Sequence, residues 1–302
     1  MNLLEKVTII EVGPRDGLQN EANFIDTSIK QQFIHKLAAA GIKNMEITSF
    51  VSPKWVPQMK DAANVIQTRP THIQSIVLIP NQKGAELIQE TDCHAAAVFV
   101  GVSNTFNQKN INQSTESSLR GLKPIIADLK QKGFFIRACI STAFYCPYEG
   151  KIAESATLKL CQQFADFGVD ELSVADTIGM ATPLESFSLF SKLKDKLPHL
   201  MLSAHFHDTR KMALANIFAA LQAGIDRFDS SAGGLGGCPF APGASGNVAT
   251  EDVVYMLKRM DIQTDIDLDQ LVEAIDVIAP SLSHPIRTGY YSLAKKKNRS
   301  TH

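Results

Sequence analysis

Short β-rich segments alternate with longer amphipathic segments along most of the chain, and this alternation limits the fold more than any other feature. Strands are predicted from their apolar patterns at residues 7–12, 44–48, 73–79, 95–100, 134–140, 171–175, 202–206 and 227–230. Helices are predicted between them, at residues 27–40, after 57, from 81, at 115–132, at 153–167, after 183, at 213–223 and from about 250. Eight such units in about 260 residues are typical of a closed (β/α)8 barrel, which is an α/β fold.

An open, doubly wound sheet shows the same alternation and is the competing fold. Its dinucleotide-binding members carry a G-x-G-x-x-G turn after the first strand, whereas residues 13–17 here read GPRDG. We therefore predict a TIM barrel with a short C-terminal helical extension, forming one catalytic domain over residues 1–302. The barrel is expected to span about residues 5–262 and the extension about 263–302, with an extra helix at 267–278 and a solvated basic tail at 295–299.

Composition and charge exclude several classes of partner. The 302 residues include 30 basic and 31 acidic ones, so the formal net charge is -1 and nothing favours binding to nucleic acid or an anionic membrane. No apolar stretch approaches the roughly 20 residues that span a bilayer. The five cysteines show no close C-x-x-C spacing, which predicts free thiols in a reducing compartment. No leader-like segment precedes the first strand, and we expect a cytoplasmic protein.

Unusual polar residues collect where the predicted strands end. Because the active site of a (β/α)8 barrel lies at the carboxyl ends of its strands, these residues are the first candidates for chemistry. They are Arg15 and Asp16 after the first strand, Glu46 in the second, Asp176 and Thr177 after the sixth, His205 and His207 at the end of the seventh, and Cys238 and Asn247 after the eighth.

The pattern His205-x-His207 is the strongest physical indication of a metal site. Side chains alternate along a strand, so both imidazoles are expected to face the mouth of the barrel. Such a pair also arises by chance, and the neighbouring donors decide between the two interpretations. The first, seventh and eighth strands adjoin in a closed barrel, which brings Asp16 and Asn247 to the same place. This set of nitrogen and oxygen donors favours Mg2+ or Mn2+, although Zn2+ also accepts such ligands.

Arg15 and Glu46 are interpreted as a pair. An arginine after a strand is often only a surface charge, but a fixed guanidinium can also stabilise an enolate oxygen. Glu46 lies in a short apolar strand, where an unpaired carboxylate is costly, and Arg15 on the adjacent strand is its candidate partner. Asp176 has two equal interpretations, as a functional carboxylate or as a cap for the turn into the next helix.

Cys238 lies in the glycine-rich segment 233–239, which reads GGLGGCP. A cysteine is commonly a small buried hydrophobe. Four glycines in five residues predict instead a mobile loop that closes over a substrate and carries the thiol with it. The alternative is a flexible loop with an incidental cysteine. The other cysteines are interpreted as structural and are Cys93, Cys139, Cys146 and Cys161.

Six longer stretches carry a family resemblance. They are residues 11–21 (EVGPRDGLQNE), 48–59 (TSFVSPKWVPQM), 146–151 (CPYEGK), 176–179 (DTIG), 205–209 (HFHDT) and 234–257 (GLGGCPFAPGASGNVATEDVVYML). On these residues the chain resembles the 3-hydroxy-3-methylglutaryl-CoA lyases, within the wider DRE-TIM metallolyase group. The likeness covers about residues 5–265, and motifs of this length are far more specific than the short patterns above.

The resemblance implies a role for each candidate residue. The family's metal ligands fall on Asp16, His205, His207 and Asn247, and its catalytic residues on Arg15, Asp16, Glu46, Asp176 and Cys238. Its substrate contacts fall on Arg15, Gln19, Ser103, Cys139 and Thr177. The resemblance also implies a divalent cation as cofactor, an acyl-CoA as substrate and a homodimer as an assembly open to the chain.

Five positions depart from the family pattern. Arg210 and Lys211 stand where relatives usually carry tyrosine and glycine, Cys139 where tyrosine is common, Asn104 where glutamate often follows the serine, and Phe240 where tyrosine is frequent. None of them removes a metal ligand. They leave the preference for the acyl group open.

The expected reaction is retro-Claisen cleavage of 3-hydroxy-3-methylglutaryl-CoA to acetoacetate and acetyl-CoA. Asp16 is the candidate base, Arg15 the stabiliser of the enolate, and Cys238 the donor of the final proton. Three alternatives stay open at this point: a related lyase for another 3-hydroxyacyl-CoA, a Claisen-type acyl-CoA/2-oxoacid synthase, and a degenerate barrel that only binds or scaffolds. The synthases generally carry a further C-terminal regulatory region, for which this chain has little room.

Overall fold

Eight parallel strands form a closed barrel in the computed structural model, which describes residues 4–236 and 246–299. The strands are β1 (Thr8–Glu11), β2 (Asn44–Ser49), β3 (Gln74–Leu78), β4 (Ala95–Gly101), β5 (Phe135–Ser141), β6 (Glu171–Asp176), β7 (Met201–Phe206) and β8 (Arg227–Ser230). Each strand pairs with its neighbour in sequence, and β8 pairs with β1 to close the sheet. The predicted TIM barrel is therefore confirmed, and the doubly wound sheet is excluded.

Helices follow the strands on the outside of the barrel. They are α1 (Thr27–Ala39), α2 (Ala62–Gln67), α3 (Gln82–Gln89), α4 (Asn104–Ile111), α5 (Thr115–Gln131), α6 (Glu154–Asp166), α7 (Pro183–Lys196), α8 (Ala213–Gln222), α9 (Thr250–Arg259), α10 (Leu268–Ile278) and α11 (Gly289–Arg299). The extra helix that we predicted at residues 267–278 is α10. Within the described ranges, no helix is both long enough and apolar enough to cross a bilayer.

The sequence analysis was wrong about the last described residues. We predicted a solvated tail at residues 295–299, but these residues continue α11. The ammonium group of Lys295 contacts both carboxylate oxygens of Asp276 on α10 at 2.9 Å, and the Tyr291 hydroxyl donates to the same carboxylate at 2.7 Å. These contacts fix α11 to α10 within the extension, which the charge pattern alone did not indicate.

Alternation along the strands separates an outer core from the lumen of the barrel. On β7, Leu202, Ala204 and Phe206 belong to the main apolar cluster between the sheet and the helices. A second, small apolar cluster includes Ile10 and Leu78 and fills part of the lumen. Side chains that point inward from the same strands are not needed for the outer core and can be polar. Polar side chains of this kind form the site at the carboxyl ends of the strands.

Two local features are not part of the regular βα repeat. A π-helical turn at Gly13–Gly17 follows β1, and an antiparallel hairpin pairs Tyr145–Cys146 with Gly150–Lys151 after β5. The four described cysteines, among them Cys139 and Cys146, are free thiols.

Candidate active site and metal centre

The π-helical turn after β1 presents Arg15 and Asp16 side by side. The amide nitrogens of Asp16 and Gly17 lie 2.8 and 3.1 Å from the same carbonyl oxygen, that of Val12, so the turn is tightly wound. Arg15 Nη1 donates to Asp16 Oδ1 at 2.7 Å. The two adjacent residues thus form an ion pair over the carboxyl end of β1.

Three of the four predicted metal ligands share one small volume. A carboxylate oxygen of Asp16 and one ring nitrogen from each of His205 and His207 all lie within 4.8 Å of one another. Asn247 lies against this cluster, since its Nδ2 donates to Asp16 Oδ2 at 2.7 Å and its backbone bridges to His207. The ends of β1, β7 and the segment after β8 therefore converge as the closed barrel predicted.

The protonation states of His207 and Asp16 fit a metal ion. Burial and the neighbouring His205 lower the pKa of His207 to about 4, so its imidazole is neutral. Its Nδ1 atom is buried and has no hydrogen-bond partner among the described residues. Burial alone would raise the pKa of Asp16, but Arg15 and the two histidines lower it to about 2. A neutral imidazole beside an ionised carboxylate is what a divalent cation requires of its ligands.

His205 is oriented from behind by a second carboxylate. Its Nδ1 lies 3.1 Å from Asp229 Oδ2, which leaves Nε2 as the nitrogen that can bind a metal ion. Burial would lower the pKa of His205, but the hydrogen bond to Asp229 raises it. Arg137 holds the pKa of Asp229 well below its ordinary value in spite of burial, so this carboxylate is ionised.

Arg15 and Glu46 form the pair that we predicted. Arg15 Nε donates to Glu46 Oε2 at 2.7 Å, and Nη2 contacts the same oxygen. The Cys139 thiol lies 3.9 Å from the other oxygen, Glu46 Oε1. Burial raises the pKa of Cys139 above its ordinary value, so this thiol is protonated and uncharged. Glu46 therefore fixes the Arg15 guanidinium beside Asp16.

Asp176 caps a turn with both of its oxygens. Oδ1 accepts from the amide of Met180 at 3.0 Å, and Oδ2 accepts from the amide of Ala181 at 2.9 Å. Burial raises the pKa of Asp176 to about 6. These contacts match the interpretation of Asp176 as a cap of the turn. A catalytic role for Asp176 would have to be compatible with the same hydrogen bonds.

The predicted substrate contacts lie on several strand ends. Gln19 is one turn beyond Arg15. The backbone amide of Gln19 donates to the carbonyl oxygen of Arg15 at 3.1 Å. The Ser103 hydroxyl is buried after β4, where it caps α4 and lies 3.0 Å from Cys146 Sγ. Thr177 Oγ1 follows β6 and accepts from the amide of Thr142 at 2.7 Å. Ser103 and Thr177 thus also stabilise the loops that carry them.

Three of the described departures have defined contacts. Arg210 Nη1 donates to the carbonyl oxygen of Ile178 at 2.7 Å, in the turn after β6. Lys211 has a left-handed φ of 60° and pairs with Asp208 at 3.0 Å. Asn104 Oδ1 accepts from the amide of Thr115 at 3.2 Å. Cys238, the predicted proton donor, and Phe240, another departure, lie outside the described residues.

Two buried charges in the lumen escaped the sequence analysis. Arg137 on β5 contacts Asp229 on β8, and Asp229 in turn contacts His205. A usable signal was present in the segment FIRACIS. The apolar side chains of Ile136 and Ala138 point outward, so Arg137 between them must point into the lumen. The analysis considered only residues at the strand ends and so overlooked the middle of the barrel.

A closed parallel barrel with a carboxylate–imidazole cluster beside a buried arginine–glutamate pair defines a TIM-barrel enzyme with a candidate metal centre. The HMGL-like family model matches residues 6–278. The chain therefore belongs to the HMGL-like family.

Individual relatives cover nearly the whole chain. The hydroxymethylglutaryl-CoA lyase of Bacillus subtilis is 46% identical over 284 residues, which are 93% of this chain and 95% of the relative. The 3-hydroxy-3-isohexenylglutaryl-CoA/hydroxy-methylglutaryl-CoA lyase of Pseudomonas aeruginosa is 43% identical over 91% of this chain and 92% of its own length. The resemblance to hydroxymethylglutaryl-CoA lyases drawn from the sequence is confirmed.

Solved structures agree with this assignment. The crystal structure of the Bacillus subtilis HMG-CoA lyase has a TM-score of 0.95 at 45% identity and covers 98% of this chain and 100% of its own. An HMG-CoA lyase from Acinetobacter baumannii, in complex with coenzyme A and 3-methylmalate, has a TM-score of 0.90 at 37% identity and covers 98% and 96%. These relatives favour a lyase over the synthase and scaffold alternatives.

Proposed function

We propose that this chain is a divalent-metal-dependent lyase that cleaves 3-hydroxy-3-methylglutaryl-CoA to acetoacetate and acetyl-CoA. The observation that carries the proposal is the convergence of Asp16, His205 and His207 within 4.8 Å, directly beside the Arg15 guanidinium. Relatives named for this activity cover nearly the whole chain. One solved relative holds coenzyme A, which supports an acyl-CoA substrate.

The proposed ligands of the cation are Asp16, His205, His207 and the amide oxygen of Asn247. Nitrogen and oxygen donors without a thiolate suit Mg2+ or Mn2+. When bound, such an ion lowers the pKa of a coordinated hydroxyl group and fixes its orientation. The buried and unpartnered Nδ1 of His207 supports this assignment, since an imidazole that served only the fold would be expected to use both of its nitrogens.

Arg15 is proposed to stabilise the charge that forms when the carbon–carbon bond breaks. Loss of the C3 hydroxyl proton lets the C2–C3 bonding electrons move onto the thioester, which leaves acetoacetate and the enolate of acetyl-CoA. A preorganised guanidinium beside that oxygen lowers the energy of the transition state. The bond from Arg15 Nε to Glu46 supplies the preorganisation, because it holds the guanidinium before substrate arrives.

Two proton transfers complete the proposed reaction. Asp16 is the proposed acceptor of the C3 hydroxyl proton, but its pKa near 2 makes it a weak base and favours its role as a ligand. Cys238 is proposed to donate the proton that converts the enolate to acetyl-CoA. Gln19, Ser103, Cys139 and Thr177 are proposed to contact the substrate from the ends of their strands.

We further propose that barrel and extension act as one catalytic domain. Leu271 and Ile275 of α10 belong to the same apolar cluster as the barrel strands and α1. A Cβ at Gly233 after β8 would lie 3.5 Å from Ile275 Cγ2, so the extension packs under the segment that leads to Cys238. Removal of the extension would expose this contact.

The direct test is a substrate series assayed with the metal-loaded protein. We expect acetoacetate release from 3-hydroxy-3-methylglutaryl-CoA. Cleavage of analogues that carry a shorter or longer C3 substituent should be much slower. Faster turnover of a longer analogue would instead assign the chain to a related 3-hydroxyacyl-CoA. Condensation of acetyl-CoA with a 2-oxoacid would identify a synthase, and binding without turnover of any analogue would contradict the lyase proposal.

A further inference from the structure

Arg137 is the largest wholly buried side chain of the described residues, and it lies in the middle of the barrel. It points inward from β5, whereas Ile136 and Ala138 on either side belong to the outer core. Burying a guanidinium is costly, and well-packed apolar residues in place of a buried ion pair are often equally stable or more so. Stability alone therefore gives a weak reason for an arginine here.

One edge of the guanidinium is bound to the carboxylate behind the histidine pair. Arg137 Nη2 contacts Asp229 Oδ1 and donates to Ser203 Oγ at 2.9 Å. The second oxygen, Asp229 Oδ2, accepts from Ser173 Oγ at 2.7 Å and faces His205 Nδ1 at 3.1 Å. The position of His205 is thus set by a carboxylate whose own position is set by Arg137.

The other edge of the guanidinium faces the carboxylate that holds Arg15. Arg137 Nη1 lies 3.6 Å from Glu46 Oε1, and the second oxygen, Glu46 Oε2, accepts from Arg15 Nε at 2.7 Å. Within residues 4–236 and 246–299, neither Nη1 nor Nε of Arg137 has a hydrogen-bond partner, so this edge acts through its charge. A continuous chain of contacts runs from His205 through Asp229, Arg137 and Glu46 to Arg15.

We propose that Arg137 is a positioning residue that fixes the two halves of the active centre relative to each other. It orients the metal-binding histidine through Asp229 and the enolate-stabilising arginine through Glu46. This inference rests on the proposed function for the roles of His205 and Arg15, while the contacts themselves do not depend on it. Arg137 touches neither substrate nor cation and acts on His205 and Arg15 through these two carboxylates, while the buried carboxylate of Glu171 also stabilises its charge.

The planar shape of the guanidinium is what makes this role specific to arginine. Its nitrogens lie in one fixed plane, so Nη2 can contact Asp229 while the charge on Nη1 lies 3.6 Å from Glu46 Oε1. A lysine ammonium is a single point charge at the end of a flexible chain and cannot hold both carboxylates in a fixed geometry. R137K therefore keeps a buried positive charge, which lowers the risk that the variant fails to fold, but a single ammonium cannot lie against Asp229 and Glu46 at once.

The matched control is R227K. Arg227 Nε and Nη2 each lie 3.2 Å from an oxygen of Glu171, a wholly buried carboxylate on β6. This pair lies in the same barrel and is altered by the same chemical change. Its hydrogen bonds run to Glu171, not to the carboxylates behind His205 and Arg15. Glu171 acts on Arg137 through charge alone, so R227K reports the cost of weakening a nearby buried ion pair without breaking a contact of the bridge.

Three measurements on wild type, R137K and R227K test the proposal. Titration of Mn2+ into chelator-stripped protein gives the metal Kd, steady-state kinetics separate kcat from KM, and thermal unfolding gives Tm. Partners behind a metal ligand typically contribute about 10- to 100-fold in affinity or activity. We expect R137K to weaken Mn2+ binding and to lower kcat by factors in this range. R227K should lower Tm and have little effect on the metal Kd or on kcat.

Double-mutant cycles locate the effect. In the metal Kd, R137K should be non-additive with D229N, and in kcat it should be non-additive with E46Q, because each pair lies on one branch of the bridge. A loss of Tm in R137K with wild-type Kd and kcat, or fully additive cycles, would overturn the proposal and leave Arg137 a structural residue.

A readout independent of turnover separates this inference from the proposed function. In metal-free protein labelled with 15N, the ring-nitrogen shifts of His205 report which nitrogen carries the proton. We expect R137K to change them and R227K to leave them as in wild type. Wild-type protein that cleaves no substrate would refute the proposed function alone, whereas unchanged His205 shifts in R137K would refute the bridge whether or not the wild type is active.

Discussion

Arg15 is held between two carboxylates, Asp16 at 2.7 Å and Glu46 at 2.7 Å, and only 8% of the residue is exposed. We expect R15Q to lower kcat by about 100- to 1000-fold, since removal of one preorganised stabilising group commonly costs this much. Metal content should stay near that of wild type, because all four proposed ligands remain.

Acetoacetate release and metal analysis on the same preparation check this prediction. R120Q serves as the control, since Arg120 is exposed on α5 and pairs with Glu116 one turn away. Wild-type turnover in R15Q would remove Arg15 from the proposed chemistry.

At the residue scale, sequence reasoning succeeded where one rule of physical chemistry was decisive. An unpaired Glu46 in an apolar strand demanded a cation, and Arg15 was found in contact with it. The same rule applied to Arg137 and Asp229 would have predicted their pairing, but the register that brings β5 and β8 into contact across the lumen is a property of the closed barrel. The hydrogen bonds that the two Asp176 oxygens accept from the amides of Met180 and Ala181 likewise depend on the three-dimensional course of the turn.

Among the elements, the segment that leads to Cys238 is anchored at its base by a buried carboxylate. Glu11 Oε1 accepts from the amides of Gly13 and Ala232 at 2.8 and 2.9 Å, and Oε2 accepts from Thr250 Oγ1 at 2.7 Å. One side chain at the end of β1 thus joins the π-helical turn, the start of the segment after β8, and α9. Glu251 adds a second anchor through the amide of Gly233 at 3.0 Å.

These anchors make stability depend on pH. Burial raises the pKa of Glu11 to about 7, although its hydrogen bonds lower it, and Glu251 behaves in the same way. The folded protein therefore keeps protons that the unfolded chain releases above a pKa of 4.5. This contribution to the free energy of unfolding is complete below that value and is lost as the pH rises through about 7. A pKa difference of one corresponds to about 1.4 kcal/mol.

We predict that E11Q flattens this dependence. The amide oxygen of glutamine can still accept from Gly13 and Ala232, while the titrating group is gone. Urea unfolding between about pH 5 and pH 8 should show a smaller decline in the free energy of unfolding for E11Q than for wild type, by up to about 3 kcal/mol. Glu90→Gln on the exposed end of α3 is the control, and an unchanged decline in E11Q would contradict the assignment.

The regular elements were predictable and the irregular ones were not, for identifiable reasons. Most barrel strands carry strong apolar patterns, although β8 has only one apolar residue, Phe228. Helix α4 does not, because its eight residues bury only Phe106 and Asn107 and its polar sequence resembles a loop. The π-helical turn depends on a tertiary contact, since a Cβ at Gly17 would lie 2.8 Å from Leu235 Cβ after β8.

On the scale of the whole molecule, the extension completes the core of the barrel. Ile275 of α10 is wholly buried and belongs to the main apolar cluster. We predict that I275A loses about 2–5 kcal/mol of unfolding free energy, as large-to-small changes in a core do, and that V277A at a half-buried position loses less. Chemical denaturation measures both. An I275A protein as stable as wild type would mean that barrel and extension are energetically separate.

Metal binding should also stabilise the whole fold. An ion that binds only the folded state adds about 2.7 kcal/mol at a concentration 100 times its Kd. We therefore expect Mn2+ to raise the Tm of wild-type protein and to leave that of H207A unchanged, because His207 supplies one of the clustered donors. A matched rise in H207A would place the ion elsewhere.

The closed fold itself followed from counting strand–helix units, and closure then predicted that the ends of β1, β7 and β8 meet. Helix α10 of the extension was predicted, but the packing of α11 against it was not, because the contacts of Lys295 with Asp276 join segments whose relative placement no local pattern specifies.

The central claim is that Asp16, His205, His207 and Asn247 bind one divalent cation that the cleavage of 3-hydroxy-3-methylglutaryl-CoA requires. The most direct measurement is acetoacetate formation by protein stripped with a chelator, before and after addition of stoichiometric Mn2+ or Mg2+. We predict negligible formation from the stripped protein and recovery with one equivalent of the ion. Full activity in the stripped protein, confirmed metal-free by elemental analysis, would contradict the account.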